Sequence, residues 1–152
     1  MDFNQTAETV IKASPREVFD RITDIEHLPD WNLEIPEVLE LPAVLEVGAQ
    51  WVVRMHAMKT HWNSRSTVTE LDPARGRFAY RSQSDDGNPS YADWLWELTE
   101  VDDGTRVAVS VAGHPRTFIR KRFISRIRPR GLRKAMQQSL ETLRSHDAKS
   151  TL

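Results

Sequence analysis

The chain of 152 residues contains no cysteine, which excludes a disulfide framework and thiolate chemistry of any kind. No apolar run approaches the roughly 18 residues that a membrane-spanning helix needs. The opening residues Met1-Asp2-Phe3-Asn4-Gln5 lack the basic region and apolar stretch of an export signal. A cytoplasmic protein is therefore expected. Repeats, low-complexity tracts and linkers are also missing, and the length suits one core, so residues 1–152 read as a single domain. Acids are absent from one stretch in particular. Arg116 to Lys134 carries nine Lys or Arg and no Asp or Glu, whereas Glu17 to Glu46 carries nine acids against the single base Arg21. The net charge of -1 conceals this segregation.

Bases alone do not make a nucleic-acid site. No recognised motif and no interleaved exposed aromatics accompany them, so nucleic acid is not the expected partner. Three readings of the basic stretch remain: contact with an anionic membrane surface, pairing with the acidic stretch within the chain, and the same pairing across a homodimer.

What is present is an ordinary globular composition, 39% hydrophobic and 28% charged. Residues 3–12 hold the β-formers Thr9, Val10 and Ile11 and stop at Ala13-Ser14-Pro15. Ser14-Pro15-Arg16-Glu17 then supplies an N-cap, a proline at the first helical position and a glutamate at N3, a capping box. A helix over 15–23 is predicted, with Val18, Phe19 and Ile22 on one face. Asp24 caps a second, shorter helix closed by Leu28-Pro29.

From there to residue 113 the pattern alternates with period two, broken by turn signals at Val47-Gly48, Asp72-Pro73, Asp85-Asp86-Gly87-Asn88-Pro89 and Asp102-Asp103-Gly104. Six strands are predicted, over 35–42, 49–57, 61–71, 76–84, 90–101 and 104–113. Their short connections imply an antiparallel meander. Side chains alternate across a strand, and five of these strands sort into two faces. A dry face collects Trp51, Val53, Met55, Trp62, Ser64, Ser66, Val68, Phe78, Tyr80, Ser82, Trp94, Trp96, Leu98, Val107, Val109 and Val111. A wet face collects Arg54, His56, His61, Asn63, Arg65, Arg77, Arg81, Asp93, Glu97 and Arg106, whose charges can pair across strands for about a few tenths of a kcal/mol each.

A dry face needs a cover. Residues 116–146 offer one, since Ile119, Phe123, Ile127, Leu132, Met136, Leu140 and Leu143 recur every three or four positions. Arg128-Pro129-Arg130-Gly131 interrupts the stripe, and a kink or short break is expected there.

This order of elements, with Ala13-Ser14-Pro15-Arg16-Glu17-Val18-Phe19, Asp24-Ile25-Glu26-His27-Leu28-Pro29-Asp30-Trp31, Glu70-Leu71-Asp72-Pro73 and Gly104-Thr105-Arg106-Val107, resembles the polyketide cyclase/dehydrase branch of the START and Bet v 1-like (SRPBCC) superfamily. The resemblance runs from about residue 5 to 146. It implies an α+β helix-grip fold: a seven-stranded curved antiparallel sheet wrapped around a long C-terminal helix, with two short helices between strands 1 and 2. It also implies a cavity between sheet and helix for a hydrophobic small molecule such as a lipid, polyketide or aromatic metabolite. Fold does not settle function. A carrier and a cofactor-independent cyclase or dehydratase both fit.

The candidate ligand-binding residues are Trp31, Trp51, Val53, Met55, Trp62, Ser64, Ser66, Phe78, Tyr80, Ser82, Trp94, Trp96, Phe123, Ile127 and Met136. Trp31 is expected at the cavity rim. The serine and tyrosine hydroxyls and the indole nitrogens are handles that orient a ligand. On this face assignment no carboxylate or histidine reaches the interior, which argues against acid-base catalysis. His27 and His114 are the two histidines near a cavity mouth and the only candidate general bases. His56 and His61 meet across a hairpin on the wet face without a third ligand, so no metal and no cofactor are expected. No spacing assembles a Ser-His-Asp triad.

Overall fold

Alternation and turn chemistry produce one sheet. The computed structural model describes residues 3–57, 59–85, 87, 89–114 and 125–150. In chain order the elements are β1 (Phe3–Ile11), α1 (Pro15–Ile22), a 3₁₀ helix (Ile25–Asp30), β2 (Glu37–Glu40), β3 (Gln50–Ala57), β4 (Thr60–Asp72), β5 (Arg77–Ser84), β6 (Tyr91–Val101), β7 (Gly104–His114) and α2 (Ser125–Ser150). All seven strands are antiparallel in the order β1-β7-β6-β5-β4-β3-β2. The strands β2 to β7 form the expected meander. The two short helices carry the chain from the β1 edge of the sheet to the β2 edge.

Local chemistry accounts for the boundaries. Ser14 sits in extended backbone (φ -68°, ψ 155°), and its hydroxyl accepts from the Glu17 N–H at 3.2 Å, with Pro15 at the first helical position. Val18, Phe19 and Ile22 are the buried face of α1. Asp24 stands at the N-cap of the 3₁₀ helix without capping it. Its carboxylate instead meets His27 Nδ1 at 2.8 Å. β2 is shorter than predicted because Pro36 and Pro42 bracket it and cannot donate to a ladder.

Simple alternation fails at one place in β4. A bulge between Val68 and Glu70 adds Thr69 to the strand, and the extra residue reverses the facing of the residues after it. Leu71 thereby packs toward the core, and Glu70 is placed on the outer face beside Arg77, 3.1 Å away. Without the bulge that acid would point into the dry side. The outer-face charges pair across strands as expected: Arg81 with Asp93 at 2.7 and 3.1 Å, and Arg77 with both Glu70 and Glu97, the latter at 2.8 Å.

The dry face is covered by α2. Leu132, Met136, Leu140 and Leu143 are buried against it, the last two with no exposed surface. The Gln137 side chain also reaches the Glu8 carbonyl on the edge strand β1, at 3.4 Å. The helix runs unbroken from Ser125 to Ser150, so the break expected at residues 128–131 is absent. Pro129 is the fifth residue of the helix, and its missing N–H leaves only the Ser125 carbonyl without an i+4 donor. The predicted helical residues 116–124 lie outside the described residues.

Gly104 opens β7 at φ +141°, and a Cβ there would collide with the Ile11 carbonyl oxygen. That close approach lets Thr105, fully buried, donate to the Ala13 carbonyl at 2.7 Å. Gly104→Ala is expected to destabilise the fold by about 2 kcal/mol or more. Leu140→Ala is expected to cost about 2–5 kcal/mol. Urea denaturation monitored by far-UV circular dichroism reads both.

Candidate functional site

Between the dry face and α2 lies a cavity of about 50 Å³. Its sheet wall is Trp51, Val53 and Met55 of β3, Ser64 and Ser66 of β4, Tyr80 and Ser82 of β5, Trp94 and Trp96 of β6 and Val109 of β7. Ala135, Met136 and Ser139 of α2 face them, and Leu28, Asn32, Glu34 and Ile35 close one side. The volume holds roughly three to five waters at about 10–15 Å³ each. It is below the roughly 300–1,000 Å³ of pockets for drug-sized ligands. The aromatic side chains therefore occupy most of the space that an open cavity would have.

Ring packing explains this. Trp51 stacks on Phe78 (6.0 Å between centroids, 28° between planes) and meets Tyr80 edge-on at 4.9 Å. Tyr80 lies 6.1 Å from Trp94, nearly parallel at 18°. Neighbouring strands in register put these rings side by side, as the pairs Phe78 with Trp96 and Tyr80 with Trp94 show.

The polar handles divide into two groups. Trp94 Nε1 donates to Ser82 Oγ at 3.1 Å, and Trp96 Nε1 donates to the Tyr80 hydroxyl at 3.4 Å. Those groups brace one another. Ser64 and Ser66 are buried (6% and 3% exposed), line the cavity and have no side-chain hydrogen bond among the described residues. Their hydroxyls are available to a guest. Desolvation pushes the Tyr80 phenol up to about 12, with the Trp96 hydrogen bond opposing it. Tyr80 is thus a neutral hydrogen-bonding group near pH 7 and not a base.

Of the fifteen residues predicted for the site, ten line the cavity: Trp51, Val53, Met55, Ser64, Ser66, Tyr80, Ser82, Trp94, Trp96 and Met136. Trp31 does not sit at a rim. It is 1% exposed, packed edge-on against Trp96 (5.5 Å, 88°), and its indole N–H has no partner among the described residues. Phe78 lies in the core behind the wall, between Trp51 and Phe19. Trp62 stands opposite Met55 near the β3–β4 hairpin, half-buried and away from the lining. Phe123 and the Ile127 side chain lie outside the described residues, as does most of the basic stretch.

Both histidine candidates are displaced from the cavity. His27 is half-exposed on Asp24, whose hydrogen bond raises its pKa above the ordinary 6.5. His114 stacks on Tyr91 at 4.6 Å and approaches Asp93 at 3.8 Å on the outer face. His56 and His61 do meet across their hairpin, 4.1 Å between ring centroids. No group of three or more His, Cys, Asp or Glu suited to a metal forms among the described residues.

One charged residue was missed. Glu34 is 8% exposed and lines the cavity, so an acid does reach the interior. It comes from the turn before β2 and not from a strand, which is why face sorting passed over it. The turn is fixed at several points: the Asn32 side chain accepts from the Glu34 N–H at 3.1 Å, the Glu34 carbonyl accepts from His56 N–H at 2.8 Å, and Ser139 Oγ accepts from Leu33 N–H at 3.0 Å. The sequence signal is Asn32, two residues before Glu34, the spacing of an Asx turn.

A curved antiparallel sheet gripping a C-terminal helix, with a small aromatic-walled cavity between them, defines the helix-grip class. The sequence matches the model of the family described as polyketide cyclase / dehydrase and lipid transport over residues 3–146. The chain belongs to that family. Among curated proteins none matches. Solved structures show the same fold at low identity. Zhui aromatase/cyclase from Streptomyces sp. R1128 superposes with a TM-score of 0.80 at 14% identity, covering 100% of this chain and 97% of that one. TTHA0849 from Thermus thermophilus gives 0.78 at 18%, covering 99% and 100%. Major latex-like protein 151 from Panax ginseng gives 0.76 at 10%, covering 97% and 98%. No helix among the described residues is long and apolar enough to cross a membrane.

Two titrations check these assignments. Tyr80 keeps its proton longer in the folded chain, so stability is expected to fall as pH rises from about 10 toward about 12. In urea titrations Tyr80→Phe should lose that part of the slope. Charged His27 is favoured by folding, so its contribution is present below the ordinary histidine pKa and fades as pH rises through the higher folded value. Histidine ring NMR should place its midpoint above 6.5, and Asp24→Asn should bring it down.

Proposed function

We propose that this protein holds a hydrophobic small molecule, of lipid, polyketide or aromatic-metabolite type, in the cavity between sheet and α2. The observation that carries the reading is an aromatic wall with two buried serine hydroxyls, Ser64 and Ser66, left open to the cavity. Apolar walls with a few placed polar groups are the usual composition of a small-molecule site. The volume of about 50 Å³ means that side chains or α2 must yield for anything larger than a few waters. Met136, unbranched and on the helix side, is the lining residue best suited to yield.

An enzymatic reading, a cyclase or dehydratase acting on the same guest, gains from Glu34. A cavity-lining acid is the residue type whose absence from the sheet faces argued against catalysis. The aromatase/cyclase among the fold neighbours is compatible with it and does not decide it.

Native mass spectrometry of protein purified from its own host is expected to find a co-purifying apolar molecule, and adding that molecule should raise Tm. Purification without any guest, together with no Tm response to fatty acids, sterols or aromatic polyketides, would contradict the reading. The same measurement on Glu34→Gln separates the two functions. A carrier retains the same molecule, whereas an enzyme accumulates a precursor of different mass.

A further inference from the structure

The hydroxyls on the sheet wall of the cavity are unequally used. An indole nitrogen can only donate, so in the Trp96–Tyr80 pair the phenol oxygen is the acceptor, at 3.4 Å. The Tyr80 proton is left over, with no acceptor among the described residues. Ser82, further along β5, differs. Its Oγ accepts from Trp94 Nε1 at 3.1 Å, and its own proton faces the Ala92 carbonyl at 3.5 Å. Ser64 and Ser66 on β4 make no side-chain hydrogen bond among the described residues. Register sets Val68 opposite Tyr80 and Ser66 opposite Ser82, so the three spare hydroxyls stand on adjacent strands of one face, and all three residues line the cavity. Glu34, also in the lining, already has a partner in the protein.

Burial pushes the Tyr80 phenol up to about 12, so it keeps its proton at neutral pH and remains a donor. A desolvated donor costs free energy when nothing accepts from it. Water can accept that proton, but a hydrocarbon guest that takes the place of water cannot, and it loses affinity on that account. A guest oxygen restores the bond. Resting on the cavity reading above, we infer that Tyr80 is a specificity-determining residue that donates to a neutral carbonyl or ether oxygen on an aromatic or apolar guest, with Ser64 and Ser66 as donors beside it. The Trp96 N–H holds the phenol oxygen in the wall of the resting structure, so the donor is positioned in advance.

Acetophenone and α-methylstyrene share a shape and differ in a carbonyl oxygen against a methylene, so together they isolate this bond. Their hydration differs, and each guest is therefore compared between wild type and variant. Binding to the full chain is followed by ligand-observed NMR at neutral pH. Tyr80→Phe is expected to weaken acetophenone about tenfold, about 1.4 kcal/mol, and to leave α-methylstyrene within about twofold. A folded Tyr80→Phe variant that binds acetophenone unchanged, or that loses both guests equally, would overturn the inference, while α-methylstyrene binding to the wild type upholds the cavity. Binding of neither guest to the wild type counts against the cavity reading itself and takes the inference with it. If circular dichroism shows Tyr80→Phe unfolded, infrared spectroscopy of the intact sequence decides. Of the two tyrosines only Tyr80 lines the cavity. Replacing tyrosine by fluorotyrosine, a stronger O–H donor, should move the carbonyl stretch of bound acetophenone to lower frequency than in the unlabelled protein. A stretch that does not move overturns the inference.

Discussion

A sheet that gathers Trp51, Phe78, Tyr80, Trp94 and Trp96 on one side cannot leave that side in water, and the burial of this face under α2 is the constraint on which the rest of the structure depends. Each large aromatic ring removes on the order of 150–250 Å² from solvent, or roughly 4–6 kcal/mol at about 25 cal/mol per Å². Leu132, Met136, Leu140 and Leu143 supply the helical side of the contact. The sheet bends toward the helix, and the β4 bulge at Thr69 keeps Glu70 out of the interior while it does so. Among the described residues, buried polar groups include braced ones, as in the Trp94–Ser82 and Trp96–Tyr80 pairs, and cavity-facing ones such as Ser64 and Ser66, while the Trp31 indole N–H has no partner.

The same constraint explains why the cavity is small. A face rich in indoles fills its own concavity, because rings on adjacent strands in register pack against one another before they meet the helix. Binding of a larger guest thus competes with aromatic self-packing.

Most of the fold was legible in the sequence, since period-two alternation and turn residues report sheet faces directly. Parity placed Trp51, Trp94 and Trp96 on the dry face, and the family resemblance supplied the cavity there. Parity has no means of registering a bulge, and the neighbouring Gly48 and Ala49 hydrogen bonds to Val68 that accompany it are long-range facts. Glu34 was invisible for a related reason. It sits in a turn, where side-chain direction follows from bonds to Asn32, His56 and, through Leu33, to Ser139, a residue 106 positions from Leu33. Trp31 was misplaced because its burial comes from an edge-on contact with Trp96 across the fold. The basic stretch was read from charge, which speaks to partners and not to position, and its bases are balanced in number by the acids of residues 17–46.

The five tryptophans provide internal reporters of the central claim, that an apolar guest enters between the aromatic face and α2. Trp51, Trp94 and Trp96 line the cavity, whereas Trp31 and Trp62 do not. In ¹H–¹⁵N NMR spectra with assigned indole signals, titration with toluene should shift Trp51, Trp94 and Trp96 the most and Trp62 the least. Shifts led by Trp62, or none at saturating toluene, would contradict the account.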